Sequence, residues 1–177
     1  MGMIGHNRGP QEGQGWHLHC WKRARADLLP TLPLEVVRLR VARAQALRLD
    51  YRTYASVRAA TGHDVVAFLF SSNALRVSSG RIAPLRALHL TAVQAGRIGL
   101  AQGLAVAVLA ENPELTSAHP APAPFAPWGA ARAAIRAALP GISGDRVILV
   151  GAAPWEKDWL SAGGLAAFLP EERYFPA

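Results

Sequence analysis

The sequence contains a single cysteine, Cys20, among 177 residues. One cysteine cannot form an internal disulfide, and it excludes zinc sites built mainly from thiolates. His17 and His19 lie next to it, but the spacing i, i+2, i+3 does not bring three ligands together on a helix. We therefore expect neither a metal nor another cofactor. The scarcity of cysteine fits a reducing compartment, and we predict a cytoplasmic protein.

Long apolar segments are also missing. The longest uncharged stretch that contains no proline, residues 98–110, has 13 residues. A membrane-spanning helix needs roughly 20, so that no membrane span is expected. The first ten residues contain no apolar run of signal-peptide length behind a basic start. We interpret residues 1–15 as a flexible arm.

Lysine is almost absent, with only Lys22 and Lys157, so that arginine supplies most of the positive charge. The net charge is +7, and residues 1–60 hold +6 of it, with ten basic and four acidic side chains. This asymmetry predicts that an anionic partner, a nucleic acid or an acidic protein surface, would contact the N-terminal third. A bacterial-like, GC-rich composition would enrich arginine as well, so that the charge excess alone does not identify a partner.

No strong motif of an enzyme is present, although apolar residues make up 51% and charged residues 18%, enough for an ordinary globular core. The glycine-bearing segment 96–103 lacks dinucleotide or P-loop spacing and is predicted to be a helix end and a turn. Ser71 and Ser72 do not stand in a Gly-x-Ser-x-Gly elbow. Trp155 and Trp159 are four apart, which is typical of two indoles packing against a core.

Residues 16–63 are predicted to form a basic helical region of three helices. The first covers residues 16–29, and the second begins at Pro33, with the proline in its first turn. Asp50 caps the third, which ends at Gly62. The arginines expected to contact the anionic partner are Arg40, Arg43, Arg52 and Arg58.

The same region also has the spacing of a helix-turn-helix, which makes a DNA-binding regulator an alternative function. Arg52 and Arg58 would then be exposed on the recognition helix. The turn position usually held by glycine is occupied by Arg48. The packing positions of this motif would be Ala44, Leu49, Tyr54 and Val57.

From residue 64 to residue 177 the pattern of apolar runs predicts an α/β domain with a small, mostly parallel sheet and flanking helices. The predicted strands are Val65–Phe70, Leu104–Leu109, Arg146–Val150 and a short one over 165–169. Helices are predicted over Pro84–Leu100, over Trp128–Leu139 and from Trp155 onward, and the proline-rich segment 118–127 is predicted to be a loop. A buried helix over 64–75 is the alternative for the first run.

Ligands of parallel α/β sheets bind outside the carboxyl ends of the strands. We expect Ser71, Asn112 and Gly151 to lie on one edge of the sheet. The predicted crevice residues are Ser71, Ser72, Asn73, Asn112, Gly151, Glu156 and Asp158.

Two segments of residues 64–170 resemble the haloacid dehalogenase-like fold. In that family a hydrophobic strand precedes Asp-x-Asp-x-Thr, and a later strand precedes Gly-Asp-x-x-x-Asp and a helix that closes in Ala-Gly. Residues 65–75 are similar to the first pattern, with Ser71, Asn73 and Leu75 at the three named positions. Residues 147–165 are similar to the second, in which Gly151 is kept, Ala152 replaces Asp and Glu156 stands at the last acidic position.

The resemblance implies that the family's phosphohydrolase chemistry is absent. In the family the first Asp is the nucleophile and a magnesium ligand, the second is the general acid/base, and a lysine steadies the phosphate. Ser71 and Asn73 cannot replace those carboxylates, and no lysine lies between Asn112 and Asp145. We therefore expect a protein that acts by binding or regulation and not by catalysis. An enzyme acting on a phosphorylated small molecule at the crevice is the alternative.

Overall fold

The computed structural model describes residues 32–175. The predicted arm, the helix predicted over 16–29 and the group of His17, His19 and Cys20 lie outside the described residues. Residues from Arg38 onward form one compact unit.

Five parallel strands form the centre of the fold, in the order β3-β2-β1-β4-β5. The strands are β1 (Ala67–Ser71), β2 (Gly96–Ala101), β3 (Ser117–Pro120), β4 (Val147–Gly151) and β5 (Ala167–Pro170). The helices are α1 (Leu34–Ala46), α2 (Tyr51–Thr61), α3 (Pro84–Thr91), α4 (Val106–Ala110), α5 (Trp128–Ala138), α6 (Asp158–Gly163) and α7 (Glu171–Tyr174). Short 3₁₀ helices cover Gly144–Arg146 and Pro154–Lys157. The predicted α/β class with a parallel sheet and flanking helices is confirmed.

The direction of winding reverses between β1 and β4. From β1 the chain proceeds outward to β2 and β3, and it then returns to pair β4 with the other side of β1. Phe68 of β1 is accordingly paired with Arg97 on one side and Ile148 on the other. In doubly wound sheets the crevice at such a reversal is where ligands bind. The prediction of a strand, and not a helix, in the first apolar run is confirmed.

Both faces of the sheet are covered, which explains why its central strands are apolar throughout. On one face Phe68 packs in a core that includes Ala44 and Tyr54 of the first two helices. Residues on both sides of position 64 therefore share one core. On the other face Leu69 packs in a core with Ile135 of α5 and Trp159 of α6.

The predicted second strand is wrong. Residues Leu104–Leu109 do not form a strand but lead into the short helix α4, and the helix predicted to reach Leu100 ends at Thr91. The second strand along the chain is instead β2, which lies in the glycine-bearing segment predicted to be a helix end and a turn. A Cβ at Gly99 would lie 2.7 Å from Leu115 Cδ1 and 2.9 Å from Leu109 Cδ2, so that the strand needs glycine because neighbouring side chains lie directly on it.

The segment 118–127 is not entirely a loop, because it begins within β3. The prolines were expected to prevent regular structure there. β3 lies at the edge of the sheet and pairs only with β2, and an edge strand tolerates proline because one of its sides needs no hydrogen-bond donors.

Candidate functional site

The carboxylate of Glu156 lies at the centre of the crevice between the ends of β1 and β4. It is 0% exposed. Its Oε2 accepts hydrogen bonds from Ser71 Oγ at 2.9 Å and from the backbone amides of Ala152 and Ala153 at 2.7 and 3.2 Å. Its Oε1 accepts one from Asn73 Nδ2 at 2.8 Å. Donors from both strand ends therefore converge on one buried carboxylate.

Sequence reasoning missed Gln102, which follows β2 and belongs to the same network. Its side-chain amide lies within hydrogen-bonding distance of Asn73, of Glu156 and of the indole nitrogen of Trp155. The backbone amide of Gln102 donates to Ser72 Oγ at 3.0 Å, and this serine donates back to the Gln102 carbonyl at 3.2 Å. No sequence signal could have found this residue, because β2 itself was misplaced.

Ser71 is buried as deeply as Glu156, with 0% exposure. Its hydroxyl donates to the carboxylate and also accepts from the backbone amide of Ala74 at 3.0 Å. The serine therefore closes the turn that follows β1, which is a common structural role of a serine hydroxyl. Gly151 has a related role, since a Cβ there would lie 2.7 Å from Glu156 Oε2 and 2.6 Å from Phe168 Cε2.

Asn112 and Asp158 lie apart from this network. Asn112 follows a helix and not a strand, and its side chain accepts from the Ile82 amide at 3.1 Å and donates to the Gly80 carbonyl at 2.9 Å. It thus holds the loop before α3 in place. Asp158 begins α6 and lines a cavity beside it. Of the predicted crevice residues, the structure brings five together, namely Ser71, Ser72, Asn73, Gly151 and Glu156.

The donors around Glu156 leave no place for a magnesium ion such as the one that the haloacid dehalogenase-like family binds at this edge of the sheet. Mg²⁺ binds carboxylate and other oxygens at about 2.0–2.1 Å. Here Asn73 presents a side-chain nitrogen to the carboxylate, and Ser71 already donates to it. Within residues 32–175, no group of three or more His, Cys, Asp and Glu side chains is arranged to hold a metal ion. The residues present do not fit the ion.

Two of the four predicted partner-contacting arginines bind Asp64. Arg43 donates from Nε to Asp64 Oδ2 at 3.0 Å, and from its terminal nitrogens to the carbonyls of Val65 at 2.7 Å and Gln94 at 3.0 Å. This arginine joins α1 to the starts of β1 and β2. Arg58 of α2 lies 3.8 Å from the other carboxylate oxygen.

Tyr54 completes this cluster by donating its hydroxyl to Asp64 Oδ1 at 2.8 Å. Burial, together with the hydrogen bond to Asp64, raises the pKa of Tyr54 above its usual value, so that the phenol stays protonated and remains a donor. Arg40 and Arg52 differ from the clustered pair. Neither of them binds Asp64, and Arg40 is half-buried like the clustered pair while Arg52 is exposed.

The turn between α1 and α2 is closed by Arg48, whose φ of 56° lies in the left-handed region. The Leu49 amide donates to the Ala44 carbonyl at 2.9 Å and the Arg48 amide donates to the Gln45 carbonyl at 3.0 Å, which is the Schellman pattern. Arginine thus adopts the conformation that glycine usually takes in such turns. Asp50 caps α2 and Gly62 ends it with φ of 76°, which confirms the predicted third helix.

A comparison of the chain with protein-family models, curated proteins and solved structures finds no match in any of the three. The fold defines the class of protein, an α/β protein with a doubly wound parallel sheet. Of the part of the chain that the structure describes, no helix is both long and apolar enough to cross a membrane.

Proposed function

We propose that this is a non-catalytic, cytoplasmic binding or regulatory protein built on a haloacid dehalogenase-like domain, whose basic N-terminal third contacts an anionic partner. The observation that carries the proposal is the buried carboxylate of Glu156, whose oxygens are occupied by donors from the protein itself. A strand-end crevice that catalysed phosphoryl transfer would need these oxygens free for a metal or a substrate.

Serine chemistry is also disfavoured at this crevice. Ser71 donates to Glu156 at 2.9 Å, as a nucleophile would donate to a base. Its hydroxyl is fully buried and is shared with the Ala74 amide, so that no substrate carbonyl or phosphorus atom could approach it. The alternative of an enzyme acting on a phosphorylated small molecule is therefore the weaker one.

We expect the purified protein not to hydrolyse a generic phosphomonoester in the presence of Mg²⁺. Both carboxylates that the chemistry requires are replaced, by Ser71 and Asn73. The measurement is release of a chromogenic phenol from its phosphate ester, with Ser71→Ala as the matched variant. Turnover that disappears in this variant would show that the crevice is catalytic.

Support for the anionic partner comes from the charge of the N-terminal third and from the position of its arginines. Residues 1–60 carry +6 of the net charge of +7. Arg43 and Arg58 hold α1 and α2 through Asp64, whereas neither Arg40 nor Arg52 binds this carboxylate, and Arg52 is exposed. The contact with an anion would therefore fall mainly on Arg40 and Arg52, while the clustered pair keeps the two helices in place.

We expect duplex DNA or RNA to bind the full chain at low salt. For duplex DNA, each neutralised phosphate should lower the logarithm of the association constant by about 0.9 for every tenfold rise in salt concentration. The double change Arg40→Glu, Arg52→Glu should abolish the gel shift at low salt. The matched control is Arg136→Glu, Arg146→Glu, two exposed arginines at other places of the fold. Absence of binding by the unmodified chain at low salt would mean that the charge excess is compositional.

A helix-turn-helix function is the second candidate, and the turn geometry favours it. The departure at Arg48 is not an obstacle, because this residue adopts the left-handed conformation that the turn needs. Ala44, Leu49, Tyr54 and Val57 are buried, as the packing positions of the motif should be. The gel shift separates the two functions, since Arg52→Ala would change sequence preference in a helix-turn-helix but would weaken all sequences alike in a non-specific contact.

A further inference from the structure

A cavity of about 290 Å³ beside α6 has four aromatic residues in its lining. Three of the chain's five tryptophans contribute to it. The rings of Phe125 and Trp155 contact each other, with their centres 5.8 Å apart. The remaining wall is made of alanines, Ser161 and Asp158, and the four aromatic residues are Phe125, Trp128, Trp155 and Trp159.

The outer rings of this cavity are unusually exposed. Phe125 is 83% exposed and Trp128 is 57% exposed. Phe125 also has a φ of 56°, a left-handed conformation that bulky side chains rarely adopt. Large exposed apolar side chains beside a concave surface are typical of a binding site, and an unfavourable backbone conformation is typical of residues held for a function.

The charge of the residues that line the cavity favours a positively charged ligand. Among the described residues that line the cavity, Asp158 alone is charged. Its carboxylate makes no hydrogen bond or ion pair with any other residue in the described range 32–175. Arg132 lies near the cavity but not in its lining, and its guanidinium stacks 4.8 Å from the centre of the Trp128 ring. One ring of the cavity therefore already interacts with a cation.

We propose that this aromatic cavity binds a small organic cation that carries a quaternary ammonium group, of the choline class. Aromatic faces attract such a cation through their quadrupoles, most strongly those of tryptophan. The Asp158 carboxylate would neutralise its charge at the wall. The volume lies at the lower end of ligand cavities, which run to about 300–1,000 Å³, and it is therefore suited to a small head group. The proposal is independent of the anionic partner of the N-terminal third.

The test is an NMR titration of the full chain with choline and, separately, with tetramethylammonium. Because three of the five indoles line the cavity, their N–H resonances report binding directly. We expect saturable shifts with both cations. The neutral carbon isostere of choline, 3,3-dimethylbutan-1-ol, has the same shape without the charge and should bind at least about 5-fold more weakly. Equal affinity for the isostere, or no saturable shift with either cation, would overturn the proposal.

Two exposed positions allow the site to be changed without disturbing the core. Phe125→Ala should weaken choline binding about 10-fold and Asp158→Asn about 5-fold. The matched controls are Leu85→Ala, an exposed apolar residue of α3, and Glu172→Gln, an exposed carboxylate of α7, and neither should change the affinity. Unchanged affinity in both Phe125→Ala and Asp158→Asn would contradict a site at this cavity.

Discussion

Replacing Glu156 with alanine should lower the free energy of unfolding by about 3–5 kcal/mol. The substitution removes the common acceptor of Ser71 Oγ, Asn73 Nδ2 and the amides of Ala152 and Ala153. A buried donor left without an acceptor costs about 1–3 kcal/mol, so that the loss exceeds that of one ordinary hydrogen bond. Urea unfolding followed by circular dichroism measures the change.

Glu156→Gln and Glu172→Ala are the matched variants for this experiment. The glutamine keeps the shape and one acceptor oxygen but turns an amide nitrogen toward other donors, and we expect a loss of about 1–3 kcal/mol. Glu172 is exposed, and its removal should change stability by no more than about 0.5 kcal/mol. If Glu156→Ala were no more destabilising than Glu172→Ala, the network would not stabilise the crevice.

Gly144→Ala is expected to destabilise the protein by about 3 kcal/mol. Gly144 begins the 3₁₀ turn before β4 and lies against the turn between α6 and β5. A Cβ there would meet the carbonyl oxygen of Gly163 and lie 2.7 Å from that of Gly164. These are backbone atoms that cannot rotate away, so that the added methyl group must separate the two turns.

Gly129→Ala is the control for this prediction. Gly129 lies in the first turn of α5, and no atom of residues 32–175 stands within 4 Å of a Cβ placed on it. Alanine in a helix is favoured over glycine by about 0.5–1 kcal/mol, so that the protein should be unchanged or slightly more stable. Thermal unfolding of both variants separates the steric effect from the general effect of replacing glycine. Equal melting temperatures would refute the close approach at Gly144.

Strands β1 and β4 could be predicted because both are buried on two faces. Such a strand needs a short run of apolar residues, and the segments that form it carry Phe68, Leu69, Ile148 and Leu149. The helices α2 and α5 were predictable for a similar local reason. Asp50 and Gly62 bound the first, and a proline precedes the second at Pro127.

The positions of β2 and β3 could not be predicted from local pattern. Gly96 and Gly99 suggest a turn in isolation, yet the strand needs glycine because side chains from α4 and the following loop pack onto it. Pro120 suggests a loop, yet the strand that contains it lies at the sheet edge. Both strands therefore depend on their neighbours in the folded protein, β2 on the side chains packed against it and β3 on its position at the edge of the sheet.

For the candidate site, the residue types alone predicted that polar side chains follow the apolar runs that form β1 and β4. That positions 71 and 73 hold serine and asparagine, and not carboxylates, is visible in the residue types alone. That these side chains converge on Glu156, 85 residues after Ser71, and that Gln102 joins them, became visible once the strands were placed in the sheet. The physical reason is that parallel strands bring together residues far apart in the chain, and the direction of a side chain at a strand end depends on turns that no local pattern specifies.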